Sequence, residues 1–297
     1  MVLNPAAGRA EPDALHPLLA RYLAANGRSC SIHHTRRHDD VCALVRMAVR
    51  RGAGLVVAAG GDGTVTAVAD ALAGGDVPLG ILPVGTGNLV ARELGLPLAP
   101  EAACRLLVDA PHVRRLDGMQ IGERTYVSHV SLGVYARIAE EVSVGEKKET
   151  GRMAYVRAIL HEISARPLWR FRVTVDGRSG HWHASTILLA NVASVGVPPL
   201  CWGSHIRPDD GRIDVCLVCA RTLPQYARLV WRAMRGEHIL APDIRYLAAK
   251  RTIDVEAHGR SPVRADGEVI GRSRVSVRIR PRVLPVLTGT GTGPACP

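Results

Sequence analysis

The sequence predicts an α/β N-terminal domain built on a parallel sheet, followed by a mostly antiparallel, β-sandwich-like C-terminal domain. Three observations lead there. Over the first 117 residues apolar strand-like runs alternate with helix-like ones, the pattern of a parallel sheet covered on both faces. Beyond that point short β-rich runs dominate, separated by Asp-Gly, Pro-Pro and other Gly/Pro turns, which suits antiparallel pairing. With 297 residues, 47% of them apolar, the chain can build two cores of ordinary size.

In the first domain (1–117), Val2-Leu3 is a short opening strand. Residues 12–26 carry Leu15, Leu18, Leu19, Tyr22 and Leu23 at helical spacing and stop at Gly27. SCSIHHT (29–35) reads as a strand, and 39–51 as a helix opened by the capping acids Asp39 and Asp40. GLVVAA (54–59) is a buried strand leading into a helix through about 73. VPLGIL (77–82) is the next strand, followed by a helix that ends at Gly95.

In the second domain (118–280), WRFRVTV, HASTILLANVA, RIDVCLVCA, RTIDVEA and SRVSVRIR are the strands, while 151–164 and 224–238 are the helices. A strand near 281–287 can return to the first domain, and the tail TGTGTGPACP (288–297) is expected to be disordered.

The net charge is +11, carried by 35 arginines and only three lysines, Lys147, Lys148 and Lys250. Residues 1–117 hold 12 basic and 11 acidic side chains, against 26 and 16 in residues 118–297. A cationic second half suits an anionic surface. No aromatic-rich RNA motif accompanies it, so no nucleic-acid partner is expected. The sequence has no apolar run of membrane-spanning length and no signal-peptide pattern at its start. Seven scattered cysteines read as reduced thiols, and the expectation is a cytoplasmic protein.

Three loops follow strands of the first domain: N-P-A-A-G (4–8), G-G-D-G-T (60–64) and P-V-G-T-G-N (83–88). In a parallel sheet they share the edge formed by the strand C-termini, where ligands bind. Glycine lets backbone N–H groups approach an anion, and each following helix presents its positive end. A carboxylate there would repel phosphate, so Asp62 suits a site in which Mg2+ intervenes. Together the three loops read as a nucleotide-phosphate site.

In this order and spacing, NPAAG, GGDGT and PVGTGN resemble the diacylglycerol kinase catalytic family. The resemblance runs from Asn4 to about Leu287 and includes Asp117 in RRLDG, the stretch from Lys147 to Tyr155, PDDGRID at 208–214 and ADGE at 265–268. It implies an ATP-dependent lipid kinase. Asn4, Pro5, Ala6, Ala7, Gly8, Arg9, Thr35, Gly60, Gly61, Asp62, Gly63, Thr64, Val65, Thr66, Gly85, Thr86 and Asn88 would bind ATP. It further implies that Asp62 organises a catalytic Mg2+, and that Asp210 with the carbonyls of Arg207 and Arg212 holds a structural one. Asp266 and Glu268 would supply the base for the lipid hydroxyl, and Lys147 would neutralise transferring phosphate. The partner would be a lipid at the inner membrane surface, and exposed strand edges leave a homodimer open.

The chain departs from the family at three places: Ala67 stands where the family commonly has a glutamate, Leu89 where it often has an acid, and the strand before NPAAG is shorter than the family's usual run of several apolar residues. Two other readings therefore stand beside the first, an NAD kinase-like enzyme and a catalytically impaired lipid- or nucleotide-binding protein on the same scaffold.

Weaker signals are read as structural. Cys216 and Cys219 sit in an apolar strand run and read as core thiols; His181 and His183 share a strand face without further ligands. The 224–238 helix shows Tyr226, Leu229, Val230 and Ala233 along one side and Arg228, Arg232 and Arg235 along another. It reads first as a helix packed on the β domain, and second as an interfacial helix. Arg166 to Arg172 belongs to the candidate cationic surface.

Overall fold

Strands that are apolar at every position must be covered on both faces, and the start of the chain is built on that rule. In the computed structural model, which describes residues 1–8, 12–24, 27, 29–36, 38–109, 112–137, 168–196, 200–235, 237 and 241–289, β1 (Val2–Leu3), β3 (Val56–Gly60) and β4 (Leu79–Pro83) are buried throughout. They pair in parallel with β2 (His33–His34) in the order β2-β1-β3-β4. Alternate residues face opposite layers. Val56, Ala58, Leu79 and Ile81 pack beneath α2 (Val41–Arg50), α3 (Asp62–Leu72) and α4 (Leu89–Glu93). Leu3, Val57, Ala59 and Leu82 pack beneath α1 (Pro12–Ala24) and α5 (Pro100–Asp109).

The strand expected over 29–35 shrinks to two residues, because its partner β1 is itself only two residues long. Helix α5 was not anticipated: Ala103, Cys104, Leu107 and Val108 supply its buried face, but Pro97 ahead of it reads as a loop signal.

The antiparallel part forms a sandwich. β5 (His112–Ile121), β6 (Arg124–Tyr126), β8 (Trp169–Val175), β9 (Arg178–Ala184), β13 (Thr252–Ala257) and β16 (Arg274–Thr288) belong to the same sheet as β1–β4. A second sheet has the order β12-β11-β10-β7-β14-β15. Its strands are β7 (His129–Gly133), β10 (Thr186–Ala190), β11 (Ile213–Val218), β12 (Ile244–Ala249), β14 (Pro262–Ala265) and β15 (Glu268–Arg272). Phe171, Val173, Val255 and Val277 from one sheet meet Val130, Leu132, Ile187 and Val215 from the other in a common core.

Strand β16 does two jobs: its first half pairs with β13, and further along it pairs in parallel with β4 at Val286–Leu79 while running antiparallel to β5. It continues through Thr288, which is buried, so the expected tail begins later than 288. Helix α6 (Leu223–Met234) is shorter than the expected 224–238 and lies on the outer face of the second sheet through Tyr226 and Leu229. Val230, expected beside them, is exposed instead. Cys216 is a core thiol as expected, whereas Cys219 is only half-buried. His181 and His183 are exposed, and among the described residues no group of three metal-ligating side chains occurs. The helix expected over 151–164, Lys147, Arg9, Arg166 and residues 290–297 lie outside the described residues.

Candidate active site

The three glycine loops touch. A Cβ at Gly85 would collide with the Gly61 Cα, and one at Gly8 would meet the Val84 carbonyl oxygen at 2.8 Å. Only residues without side chains let these backbones come so close. The loops are also tied by polar contacts. The Asn4 side-chain amide donates to Thr64 Oγ1 at 3.3 Å, and Asn4 Oδ1 accepts from the Ala6 N–H at 3.0 Å. Asn88, in the left-handed region at φ 51°, folds the third loop on itself, accepting from the Gly85 N–H at 3.1 Å and donating to the Gly85 carbonyl at 2.7 Å.

A cleft of about 830 Å3 opens beside them, lined by Asn4, Ala7, Gly8, Thr35, Gly61, Gly63, Thr64, Gly85 and Thr86 on one side. Its other walls carry Arg36, Asp39, Asp40, Cys42, Arg46, Asp70, Glu123, Arg124 and Glu268. Of the remaining residues implied for nucleotide, Pro5 and Ala6 are exposed, Val65 and Thr66 are buried, and Gly60 packs against the Thr64 side chain.

Asp62 has a different immediate partner from the one expected. Its two oxygens accept from the Leu89 N–H at 2.6 Å and the Asn88 N–H at 3.0 Å. The carboxylate thereby caps α4 and straps the second loop to the third. Burial raises its pKa, and the two backbone donors partly offset that. Each Asp62 oxygen takes one backbone donor, so in this geometry the carboxylate is a strut between the loops and keeps a further acceptor site on each oxygen. Leu89, the departure from the family's acid, supplies one of the two donors.

Asp266 and Gly267 form the two-residue turn between β14 and β15, both with positive φ, 45° and 90°. An Asp-Gly pair in that conformation is the preferred hairpin turn. The two acids of the segment then part company. Asp266 is 6% exposed and accepts five hydrogen bonds: from Thr66 Oγ1 and the Val127 N–H at 2.9 Å, and from the Ser128 N–H, the Ser128 hydroxyl and the His129 N–H at 2.9, 2.6 and 2.9 Å. Glu268 instead stands at the cleft, its side chain 46% exposed and 2.9 Å from Arg124.

Arg124 reaches Asp70 as well, at 3.4 Å, and the Thr125 N–H donates to Asp70 at 2.7 Å. Asp70 lies one helical turn beyond Ala67 and lines the same cleft. The Cys42 thiol contacts the Ala67 carbonyl at 3.5 Å and Asp70 at 3.6 Å, and burial pushes that thiol up to about 11. Asp70, Arg124 and Glu123 were missed in the sequence. The available signal for Asp70 is an acid within the apolar helix that follows GGDGT.

Two more carboxylates join the domains. Glu93, 2% exposed, accepts from the Ala193 and Ser194 N–H groups at 2.8 and 3.0 Å, and burial raises its pKa. Asp117, fully buried, accepts from the Arg282 and Gly211 N–H groups at 2.7 and 2.6 Å. Asp209 pairs with Arg114 at 2.7 Å, leaving Asp210 as the exposed acid of that turn, with the Arg212 N–H at 3.0 Å from its Oδ1.

Three glycine loops meeting at the start of α3, with the half-exposed Glu268 lining the same cleft, make a phosphotransferase-type site. Comparison with known proteins gives the class a family. Residues 1–121 match the diacylglycerol kinase catalytic domain, and residues 128–288 match the YegS C-terminal NAD kinase beta sandwich-like domain. The chain is 32% identical over 265 residues to a diacylglycerol kinase of Mycobacterium tuberculosis, covering 86% of this chain and 81% of that one. It is 27% identical to a diacylglycerol kinase of Bacillus subtilis, covering 91% and 89%. A crystal structure of a putative diacylglycerol kinase from Bacillus anthracis superposes with a TM-score of 0.82 at 21% identity, covering 98% and 95%. The chain belongs to the diacylglycerol kinase family and is a lipid kinase.

Proposed function

We propose that this lipid kinase transfers the γ-phosphoryl group of ATP to the hydroxyl of a diacylglycerol-type lipid taken from a membrane surface. The observation that supports this best is that Glu268 and all three glycine loops line one cleft. The phosphates would lie against the loop N–H groups at the positive end of α3. The lipid hydroxyl would approach Glu268, the one acid of the hairpin pair that faces the cleft. As the hydroxyl oxygen bonds to the γ-phosphorus, the bond to the bridging oxygen breaks, ADP leaves, and Glu268 takes the proton. Positioning a base in this way is worth about 10²–10⁴-fold. Arg124, held between Glu268 and Asp70, is the cleft cation next to the proposed base and would spread charge on the transferring group. Mg2+ accompanying the nucleotide would neutralise charge on the β- and γ-phosphates. Lys147 is carried over from the family as a second cation.

The test is direct. The purified chain is incubated with ATP labelled in the γ-phosphate and a total membrane lipid extract, with NAD in a parallel reaction. Label in an organic-phase product, identified by mass as a phosphorylated glycerolipid, supports the reading. Label in NADP alone, or tight ATP binding with no labelled product on any acceptor, contradicts it.

A further inference from the structure

Helix α6 has two apolar sides. Tyr226 and Leu229 turn inward onto the outer face of the second sheet. Leu223, Ala227, Val230, Trp231 and Met234 recur at three- and four-residue steps, so they form one stripe on the other side. That stripe is in water: Leu223, Val230, Trp231 and Met234 are 42, 47, 57 and 51% exposed. The helix contains no acid, holds Arg228 and Arg232, and is flanked by Arg221 and by Arg235, which lies 3.8 Å from Glu237 just past the helix end. Asp243 grips Arg228 at 2.5 Å, which pins the helix to the sheet, and the Arg235 guanidinium lies 5.6 Å from the Trp231 ring centre. At the other end of the helix, Gln225 accepts from the Arg221 and Thr222 N–H groups at 2.6 and 3.1 Å, so its start is firmly set.

We propose that α6 is an interfacial docking helix that lays this stripe on a bilayer containing anionic lipid. An acid-free helix with an exposed Trp beside Arg suits the headgroup boundary, where the ring sits at the apolar edge and guanidinium groups meet phosphates. A second copy of the chain is the poorer occupant. Twelve residues of helix span only about 18 Å, and a stripe one side chain wide falls far short of the roughly 800 Å2 per partner that stable dimers bury. The cluster under α6 reaches Ala193, whose N–H donates to Glu93 on α4, so the layer beneath the helix is continuous with the one beside the third phosphate loop.

The experiment is vesicle co-sedimentation of the full chain without nucleotide, using phosphatidylcholine vesicles and phosphatidylcholine vesicles containing phosphatidylglycerol. The wild type is expected to bind the anionic vesicles roughly tenfold or more better than the neutral ones, with added salt weakening binding. The Trp231→Gln/Met234→Gln variant should lose roughly tenfold or more of that binding, while its thermal unfolding and ATP binding stay as in the wild type. Wild-type-like vesicle binding by the variant overturns the proposal. So does a wild-type dimer that becomes monomeric in the variant with vesicle binding unchanged. Turnover does not enter the measurement and ATP binding serves only as a control on the fold, so its failure would leave the proposed phosphoryl transfer standing, and the reverse holds too.

Discussion

Helices α3 and α6 are nearly the same length, 11 and 12 residues, yet they stand in opposite relation to water. Helix α3 buries seven residues, including Thr64, Thr66 and Asp70; helix α6 buries none. Each polar side chain of α3 is committed to another part of the site: Asp62 to the third loop, Thr64 to Asn4, Thr66 to Asp266, and Asp70 to Arg124 and Thr125. The large apolar side chains of α6 other than Leu229 and Tyr226 face solvent. A buried polar group is worth little net stability when satisfied and costs a great deal when its partner is lost. An exposed apolar one carries almost none of the fold. Substitutions around α3 should therefore unfold the protein or dismantle the cleft, while those on the α6 stripe should leave both intact.

The sharpest break comes from Asp266→Ala, which strands five buried donors on Thr66, Val127, Ser128 and His129. A loss of about 3–5 kcal/mol in denaturant unfolding is expected, and an unchanged midpoint would show that Asp266 braces nothing. The same neighbourhood should respond to acid. His129 is buried, its Nε2–H donates to the Val192 carbonyl at 2.9 Å, and burial, partly opposed by the Asp266 carboxylate, pushes its pKa from 6.5 down to about 4. A depressed folded-state value means that the unfolded chain takes up the proton first as pH falls. The stability held above pH 6.5 should thus drain away as pH drops towards 4, by up to about 3 kcal/mol. Urea midpoints measured across that range, with His129→Gln showing a shallower fall, check the sign.

Gly85→Ala is expected to cost about 1–3 kcal/mol, because its methyl group would press into Gly61. ATP affinity, read by calorimetry, should fall with it as the loops separate. At the small end, Trp231→Gln on α6 should change unfolding free energy by no more than about 0.5 kcal/mol. A larger loss would mean that the stripe is packed against something in the folded chain, and the contrast between the two helices would fail.

Much of this was legible because the loops announce themselves. NPAAG, GGDGT and PVGTGN are defined by glycines whose absent side chains are what allow Gly8, Gly61 and Gly85 to meet, so a local pattern reports a tertiary fact. Strands such as LVVAA and ILLA declared their burial by composition. The partners of the carboxylates were not legible. Asp62 and Asp266 were read as working acids, yet their oxygens face backbone N–H groups 26 and about 138 positions away in the chain, a relation that no local spacing carries. Glu93 sits in a helix too short to reveal which face is buried. Asp70 hid in an apolar helix one turn past the Ala67 departure. The α6 stripe was misread in one residue: Val230 fits either side of the helix by spacing alone, and only packing decides between them.

The central claim is that the cleft is a phosphoryl-transfer site in which Glu268, and not Asp266, accepts the proton. The measurement that tests it most directly is the lipid-phosphorylation rate of Glu268→Gln at saturating ATP, taken alongside its denaturant midpoint and its ATP affinity. The account predicts a rate about 10²–10⁴-fold below wild type, a midpoint within about 1 kcal/mol of wild type, and unchanged ATP binding. A Glu268→Gln variant that is fully active, or one whose activity is lost only because it unfolds, would contradict it.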